Sequence, residues 1–215
     1  MDRKALSAAF PVTVPVLMGY LAIGIAFGLM LQEIGYNFIW AFFMSIFIYA
    51  GSMQYVAIDL LASGASLIST AIMTLMIQVR HLFYGLSIID KYKDTGKKKL
   101  LLIHELTDET YSLVATTPVP DGVDKGWFYL FISMLDHVYW IIGCTFGALF
   151  GSLVNFNTKG VDFVMTALFI VIFTDQWLNS KNHIPAITGV ICSVICLLLF
   201  GPDRFIIPAM LSILT

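Results

Sequence analysis

Charged residues are scarce in this sequence of 215 residues: they make up 12% of it, against roughly 25% in soluble domains. Hydrophobic residues make up 59%. A soluble fold of this length has too little interior for so much apolar surface, so the composition indicates an integral membrane protein. The formal net charge of −2 is too small to indicate a nucleic-acid partner.

Cysteines and catalytic motifs are scarce as well. The three cysteines lie in apolar runs, where a thiol behaves mostly as a small hydrophobic group. The sequence contains no Gly-x-Ser-x-Gly, no phosphate-binding glycine loop and no His-Glu-x-x-His. We therefore predict no metal site, no cofactor and no enzyme activity.

What the sequence has in abundance is apolar runs of about 20 residues, the length that crosses a bilayer as a helix. There are six of them, at residues 11–31, 38–61, 66–89, 127–150, 161–178 and 184–200, and a short apolar tail follows at 205–214. The sequence therefore predicts an all-α integral membrane protein with six to seven transmembrane segments in a single domain over residues 1–215.

Residues 91–126 form a charged linker between the two apolar parts of the chain. It begins with five lysines, which the positive-inside rule assigns to the cytoplasmic side. In residues 100–114, apolar and polar side chains then alternate with the period of a helix. The pattern favours one amphipathic helix lying at the membrane interface, in which His104 and Asp108 are close enough to bond. The alternative is a gate or proton-relay helix packed on the core, with Asp108 and Glu109 as its titratable groups.

The two apolar parts, about 11–90 and 127–215, resemble each other. "GYLAIGIAFG" at 19–28 matches "VYWIIGCTFG" at 138–147, and "SMQY" at 52–55 matches "TDQW" at 174–177. If each part crosses the membrane three times, the second copy is inverted, so we predict two three-helix inverted repeats with interrupted helices. Plain helix packing is the alternative explanation for the matched glycines.

The inverted arrangement conflicts with the distribution of positive charges along the chain. Three crossings would put Arg3 and Lys4 on the side opposite the lysines of the linker, against the positive-inside rule. The conflict disappears if one run is re-entrant, but the parity argument for inversion then fails. The sequence leaves both options open.

Polar residues interrupt the second run at "IYAGSMQY". Backbone groups in lipid must be satisfied internally, so a break there requires a protein or water-filled surrounding. Gly51 permits the break because it lacks a Cβ. Ser52 and Gln54 can then bond a ligand, and Tyr49 and Tyr55 can line a pocket. A continuous helix with small residues at a helix contact is the alternative.

The matching segment of the second half is polar at the same place, which favours a functional break. It adds Gln176 and Trp177 to the candidate substrate-binding residues. Asp175 either carries a proton within the membrane or marks the end of its span.

Charged residues also occur inside the third and fourth runs. Arg80 and His81 lie in the third run and Asp136 lies in the fourth. A charge at the centre of a membrane helix costs about 2.5–3.5 kcal/mol or more, so such residues usually face a cavity or a partner. An Arg80–Asp136 ion pair and positions at the interface are both open. The candidate coupling or gating residues are Arg80, His81, Asp108, Glu109, Asp136 and Asp175.

Four separated motifs, "IYAGSMQYVA", "VRHLFYGLS", "LTDETYSL" and "DHVYWIIG", resemble those of AzlC-like proteins, the large subunits of two-component branched-chain amino acid exporters. The resemblance implies proton-coupled export of branched-chain amino acids, and of related ones such as methionine, across the cytoplasmic (inner) membrane of a prokaryote. It also implies a small hydrophobic AzlD-like membrane subunit as partner. A passive channel or facilitator and a scaffold subunit without transport activity are the alternatives.

Such a zwitterionic substrate needs donors for its carboxylate, an acceptor for its ammonium group and an apolar pocket. Backbone N–H groups near Gly51 and Ser52 suit the carboxylate, because a helix N-terminus attracts negative charge. The candidate acceptors are Gln54, Asp136 and Asp175. The candidate pocket residues are Phe47, Tyr49 and Trp177.

Overall fold

The computed structural model describes residues 2–153 and 182–201, and isolated residues between 163 and 178 and between 205 and 212. These residues form eight helices, numbered here in chain order: α1 (Arg3–Glu33), α2 (Phe38–Phe47), α3 (Gly51–Ala62), α4 (Leu67–Ile88), α5 (Lys98–His104), α6 (Asp108–Thr116), α7 (Lys125–Leu153) and α8 (Ile184–Phe200). Three of them, α1, α4 and α7, are long and apolar enough to cross a membrane. The all-α membrane architecture is confirmed, while six to seven spans stays a prediction.

The centre of the structure is a close contact between α1 and α7. A Cβ on Gly24 would lie 3.1 Å from the Cα of Gly143, and a Cβ on Gly28 would lie 2.8 Å from the carbonyl carbon of Gly147. Nearer the start of both helices, the hydroxyl groups of Thr13 and Tyr139 are 3.1 Å apart. The residue numbers of the contact partners increase together along the two helices, so α1 and α7 run parallel.

This contact corrects the inverted-repeat prediction. The matched glycines of 19–28 and 138–147 are packing partners, because small residues let two helix backbones approach closely. Since α1 and α7 point the same way, the prediction that these two segments are related by inversion is wrong. The matched polar segment 174–177 lies only partly within the described residues.

Helices α2 and α3 form the first hairpin, whose turn is residues 48–50. The helices have 10 and 12 residues, about 15 and 18 Å, or roughly half of a 30 Å membrane core. At the turn, Gly51 approaches the ring of Trp140, and one turn later Tyr55 donates to the carbonyl of Ile23 at 2.5 Å and packs on Phe27. α3 therefore returns towards the end of the bundle at which α1 stops.

The predicted break in the second run is confirmed, and a continuous helix through it is wrong. The unusual backbone falls on Tyr49, with φ of +40°, and not on Gly51, which opens α3 in ordinary helical geometry. Tyr49 is held there because its ring stacks on His137 at 3.9 Å between centroids. Because the run folds back on itself, it is the re-entrant segment that the sequence left open.

Helices α5 and α6 form the second hairpin, whose turn is residues 105–107. α5 starts with Lys98 beside Asp124 and over the Trp127 ring, close to the start of α7. It ends with Glu105 beside His137, two to three turns further along α7. α6 then returns, packing against α1, α4 and α7. The second hairpin thus enters from the end of the bundle opposite to the first.

The single interfacial helix predicted for 100–114 is therefore wrong. The helix breaks because Thr107 caps α6, its hydroxyl accepting from the N–H of Thr110 at 3.2 Å. His104 and Asp108 stand on different helices and do not pair. The alternative, a linker helix packed on the core, agrees with the position of α6.

The hairpins also resolve the charge conflict. Ala5 of α1, Ile88 of α4, Leu102 of α5 and Phe128 of α7 share one buried cluster. The start of α1 and the end of α4 consequently lie at the same end of the bundle, with two crossings between them. This lysine-rich end carries Arg3, Lys4 and the five lysines of the linker: Lys91, Lys93, Lys97, Lys98 and Lys99. The positive-inside rule assigns it to the cytoplasm.

We expect Gly147→Ala to destabilise the protein by about 1–3 kcal/mol, because the added methyl group overlaps the backbone of Ile25. Gly19→Ala is the matched control: it lies on α1 with no atom within 4 Å of its Cβ, and alanine favours a helix. Thermal unfolding in detergent measures both variants. Equal unfolding midpoints would contradict the parallel α1–α7 contact.

The topology predicts the sides of two exposed residues. In a variant without the native cysteines, Ser63→Cys in the turn between α3 and α4 should react with a membrane-impermeant thiol reagent added to intact cells. Lys97→Cys should react only after the cells are opened, because it lies at the lysine-rich end. Labelling of both from outside, or of Lys97→Cys alone, would show that the assignment is wrong.

Candidate functional site

The turns of the two hairpins meet at mid-depth of the bundle, at the level of His137 and Trp140 on α7. A cavity of about 30 Å³ lies between them. Its lining comes from α1, the first hairpin, α4, the second hairpin and α7. The lining residues are Tyr20, Ile23, Tyr49, Ala50, Gly51, Ser52, Arg80, His81, Thr107, Asp108, Glu109 and Trp140. Seven of the residues predicted from the sequence are brought together here: Tyr49, Gly51, Ser52, Arg80, His81, Asp108 and Glu109.

Arg80 connects the two hairpins across the cavity. Its guanidinium forms an ion pair with Asp108 of the second hairpin at 2.9 Å and donates to the hydroxyl of Ser52 in the first. The Arg80–Asp136 pair considered from the sequence is therefore wrong. Asp136 lies fully buried and accepts from the hydroxyl of Thr110 at 3.0 Å.

Glu109 forms the second acidic group of the cavity. Tyr20 donates to its Oε2 at 2.8 Å, and the same tyrosine hydroxyl lies 2.7 Å from the hydroxyl of Thr107. The second hairpin thus brings two neighbouring carboxyl groups, Asp108 and Glu109, to the cavity.

The N-terminus of α3 faces the same cavity without a cap. Ala50 at the cap position has no side-chain acceptor, and the first backbone bond of the helix is from the N–H of Gln54 to the Ala50 carbonyl at 2.8 Å. The N–H groups of the first turn therefore have no acceptor within the helix, and Gly51 and Ser52 line the cavity. An uncapped N-terminus attracts negative charge. One side of the cavity suits an anion, and the carboxyl groups of α6 suit a cation.

A second, larger cavity of about 180 Å³ adjoins the first towards the lysine-rich end. Its lining includes Gly85, near the end of α4, and His104, at the end of α5. Tyr49, Ala50 and His81 line both cavities and form the partition between them. A solute in the larger cavity is separated from the inner cavity by this partition.

The model of the AzlC protein family matches residues 15–154. The chain belongs to the AzlC family. It is 50% identical to the branched-chain amino acid transport protein AzlC of Bacillus subtilis, over 98% of this chain and 83% of that protein. It is 41% identical to an uncharacterized membrane protein of Haemophilus influenzae, over 98% of this chain and 86% of that one.

A more distant relative is the inner membrane protein YgaZ of Escherichia coli, 29% identical over 74% of this chain and 67% of that protein. No solved structure matches the chain. The relatives agree with the composition and the three candidate spans that this AzlC-family chain is a membrane protein. Its family is one of transport proteins, in keeping with the absence of enzyme motifs from the sequence.

His137 and Trp140 are site residues that the sequence analysis did not single out for a role at the cavity. The imidazole of His137 lies between the hairpins, with Nε2 at 3.0 Å from the carbonyl oxygen of Ser45 and Nδ1 at 2.7 Å from Oε2 of Glu105. Trp140 closes the cavity and donates from Nε1 to Gln54 at 2.8 Å. Both lie on the same face of α7, about one turn apart, because they are separated by three positions in the sequence "DHVYW".

Several predicted ligands lie outside the cavity. Gln54 and Tyr55 are buried behind its wall, bonded to Trp140 and to the Ile23 carbonyl. The ring of Trp177 stacks on His183 at 4.2 Å and does not line the cavity. Asp175 and Gln176 lie outside the described residues. Among the residues that the structure describes, no group of three or more His, Cys, Asp or Glu side chains is placed to hold a metal.

Proposed function

We propose that this AzlC-family chain carries branched-chain amino acids across the cytoplasmic membrane as a secondary transporter. The observation that carries the proposal is the bipolar cavity at the hairpin turns. The uncapped N-terminus of α3 and Arg80 line one side of it, and Asp108 and Glu109 line another. The relative with 50% identity is named a branched-chain amino acid transport protein, which supports this choice of substrate.

In this proposal the substrate carboxylate binds the N–H groups of Gly51 and Ser52. Arg80 gives further positive charge at that position. The ammonium group binds Asp108 or Glu109, which are the acidic groups of the cavity lining. The aliphatic chain packs against its aromatic and apolar members: Tyr20, Ile23, Tyr49 and Trp140.

Such a pocket discriminates weakly between aliphatic side chains. One methylene group in an apolar pocket is worth only about 1–3 kcal/mol. Leucine, isoleucine and valine should therefore compete with one another, and methionine should be accepted as a related substrate.

The volume of the inner cavity supports a closed state between two open ones. About 30 Å³ is room for about two water molecules, far less than an amino acid needs. Substrate must enter by separation of the hairpin turns, which are short half-helices placed against the long α1–α7 pair. Entry through the larger cavity at the lysine-rich end agrees with export from the cytoplasm.

The remaining parts of the proposal follow the family resemblance. The chain acts as one transport domain over residues 1–215, in the inner membrane of a prokaryote, with a small hydrophobic AzlD-like subunit. Export is coupled to the proton gradient, with carboxyl groups of the cavity and Asp175 as candidate carriers. The inner-membrane location of YgaZ supports this location for the chain.

Counterflow of labelled leucine in proteoliposomes, with and without the small subunit, tests the proposal. We expect uptake driven by unlabelled leucine, isoleucine or valine inside the vesicles. Asp108→Asn should reduce it at least about tenfold, the factor that 1.4 kcal/mol of lost binding produces. Asp59→Asn is the matched control, since Asp59 is an exposed carboxylate of α3 away from the cavity.

Three results separate the alternatives. No counterflow by the wild type in either preparation would reject transport and leave a scaffold role. Counterflow without any accumulation under an imposed pH step would favour a passive facilitator. Equal activity of Asp108→Asn and Asp59→Asn would reject the inner cavity as the binding site.

A further inference from the structure

We propose that a relay of three hydroxyl groups lets two carboxyl groups, one at the inner cavity and one buried in the bundle, share a single coupling proton. The relay consists, in order, of Glu109, Tyr20, Thr107, Thr110 and Asp136. The ammonium group of the substrate takes the place of the shared proton when the site is loaded. This inference rests on the proposed transport function and names the residues through which the proton and the substrate are exchanged.

The five side chains of the relay form an unbroken line of polar contacts. Oε2 of Glu109 lies 2.8 Å from the hydroxyl of Tyr20, which lies 2.7 Å from the hydroxyl of Thr107. The line continues to the hydroxyl of Thr110 at 3.1 Å, and from there to Oδ2 of Asp136 at 3.0 Å. It begins at the lining of the inner cavity and ends at a fully buried carboxyl group. The relay therefore connects the cavity with the interior of the bundle.

Three hydroxyl groups have too few hydrogens for these four contacts when both carboxyl groups are ionised. A carboxylate only accepts hydrogen bonds, and each hydroxyl group donates one. Tyr20 then donates to Glu109. Thr107 donates to Thr110, and Thr110 donates to Asp136. The contact between the hydroxyl oxygens of Tyr20 and Thr107 is left without a hydrogen, although at 2.7 Å it is the shortest of the four.

One proton on either carboxyl group supplies the missing hydrogen. On Asp136 the proton donates to Thr110, and each hydroxyl group then donates towards Glu109. On Glu109 it donates to Tyr20, and each hydroxyl group donates towards Asp136. The two arrangements interconvert when every hydroxyl group passes on its own hydrogen and receives another, so no hydroxyl group gains a charge. Chains of this kind carry protons in membrane pumps and transporters.

The surroundings of the relay contain no cation that would replace the proton. Arg80 of α4 pairs with Asp108, and the carboxyl group of Glu105 lies beside His137. Oδ1 of the fully buried Asp136 has no hydrogen-bond partner among the described residues. A buried carboxylate without a counter-ion is costly, so a proton on the relay lowers this cost. The other titratable side chains of the cavity lining are Tyr49 of the first hairpin and His81 of α4.

The substrate can supply the missing hydrogen itself. An ammonium group has three hydrogens to donate and accepts none. Glu109 and Tyr20 both line the inner cavity, so an ammonium group between them donates to the carboxylate and to the phenolic oxygen. Tyr20 then turns its own hydrogen to Thr107, and every contact of the relay is filled without the proton. The empty site holds a proton and the loaded site holds substrate, which is the alternation that exchange of one for the other requires.

Thr110→Val tests the relay because it removes a hydroxyl group that does not line the cavity. The two contacts that remain, from Thr107 to Tyr20 and from Tyr20 to Glu109, have one hydrogen each, so the empty site no longer needs a proton. We expect the ratio of pH-gradient-driven leucine accumulation to leucine counterflow in proteoliposomes to fall at least tenfold. Thr110→Ser, which restores the hydroxyl group, should keep the wild-type ratio.

Thr116→Val is the matched control, since Thr116 lies on the same helix and donates to the Ser112 carbonyl, outside the relay. It should also keep the wild-type ratio. An unchanged ratio in Thr110→Val would overturn the inference, and so would an equal loss in Thr110→Ser. Absence of counterflow in the wild type would instead count against the proposed function.

Infrared spectroscopy of the purified protein tests the relay without transport. The C=O stretch of a protonated carboxyl group is separate from that of a carboxylate, and exposed carboxyl groups, which titrate near about 4, are ionised at pH 7. We expect a protonated carboxyl band in the wild type without leucine at pH 7. Asp136→Asn should lose this band, because its amide N–H donates to Thr110 and supplies the fourth hydrogen.

The wild-type spectrum keeps the inference testable if a variant does not fold. Absence of the protonated carboxyl band from the wild type would overturn the inference. A band of equal intensity in Asp136→Asn would overturn it as well, because the proton would then belong to a carboxyl group outside the relay.

Discussion

A backbone that turns back inside a membrane must find its hydrogen-bond partners within the protein, and this requirement organises the structure around its two hairpins. Each hairpin turn exposes N–H and C=O groups that a continuous helix would have paired. Near the first turn, the Ser45 carbonyl faces His137. At the second, Thr107 caps α6. The polar side chains at mid-depth are there because the turns are there, and the cavity is the space that these groups leave.

The long helices α1 and α7 form a rigid support for the two hairpins. Over residues 24–28 of α1 and 143–147 of α7, glycines bring the two backbones so close that a methyl group has no room. An interface of this kind has few alternative arrangements, because packed cores are not continuously deformable. The hairpins, by contrast, meet at mid-depth through ion pairs and hydrogen bonds, such as Arg80 with Asp108, that can be exchanged for others. The rigidity of the α1–α7 pair and the mobility of the two hairpins follow from these two kinds of contact.

The sequence predicted which polar residues line the inner cavity better than it predicted the path of the chain. A serine or an arginine in an apolar run is conspicuous whatever the topology, so the sequence alone points to Ser52 and Arg80. A run of 24 apolar residues, however, has the same composition whether it crosses the membrane or folds back at its middle. The direction of α3 is decided by contacts such as Tyr55 with Ile23, between residues 32 positions apart, which no local pattern contains.

The same limit explains the misread repeat and the missed histidine. Glycines recur in α1 and α7 because each helix must match the other across their contact, and matching partners look like matching copies. His137 follows Asp136 in the chain, and the carboxylate is the costlier charge to bury, so the sequence pattern points to Asp136. The partners of His137, Glu105 and the carbonyl of Ser45, are 32 and 92 positions away.

The two hairpins also differ in a way that gives the cavity its polarity. α6 begins with a threonine cap and two carboxyl groups, which satisfy and neutralise the positive end of that helix. α3 begins with Ala50 and Gly51, which leave its N–H groups unpaired. One capped and one uncapped helix start, facing each other at a single cavity, produce adjacent sites for a carboxylate and an ammonium group. A free α-amino acid is a small apolar molecule that carries both groups on one carbon.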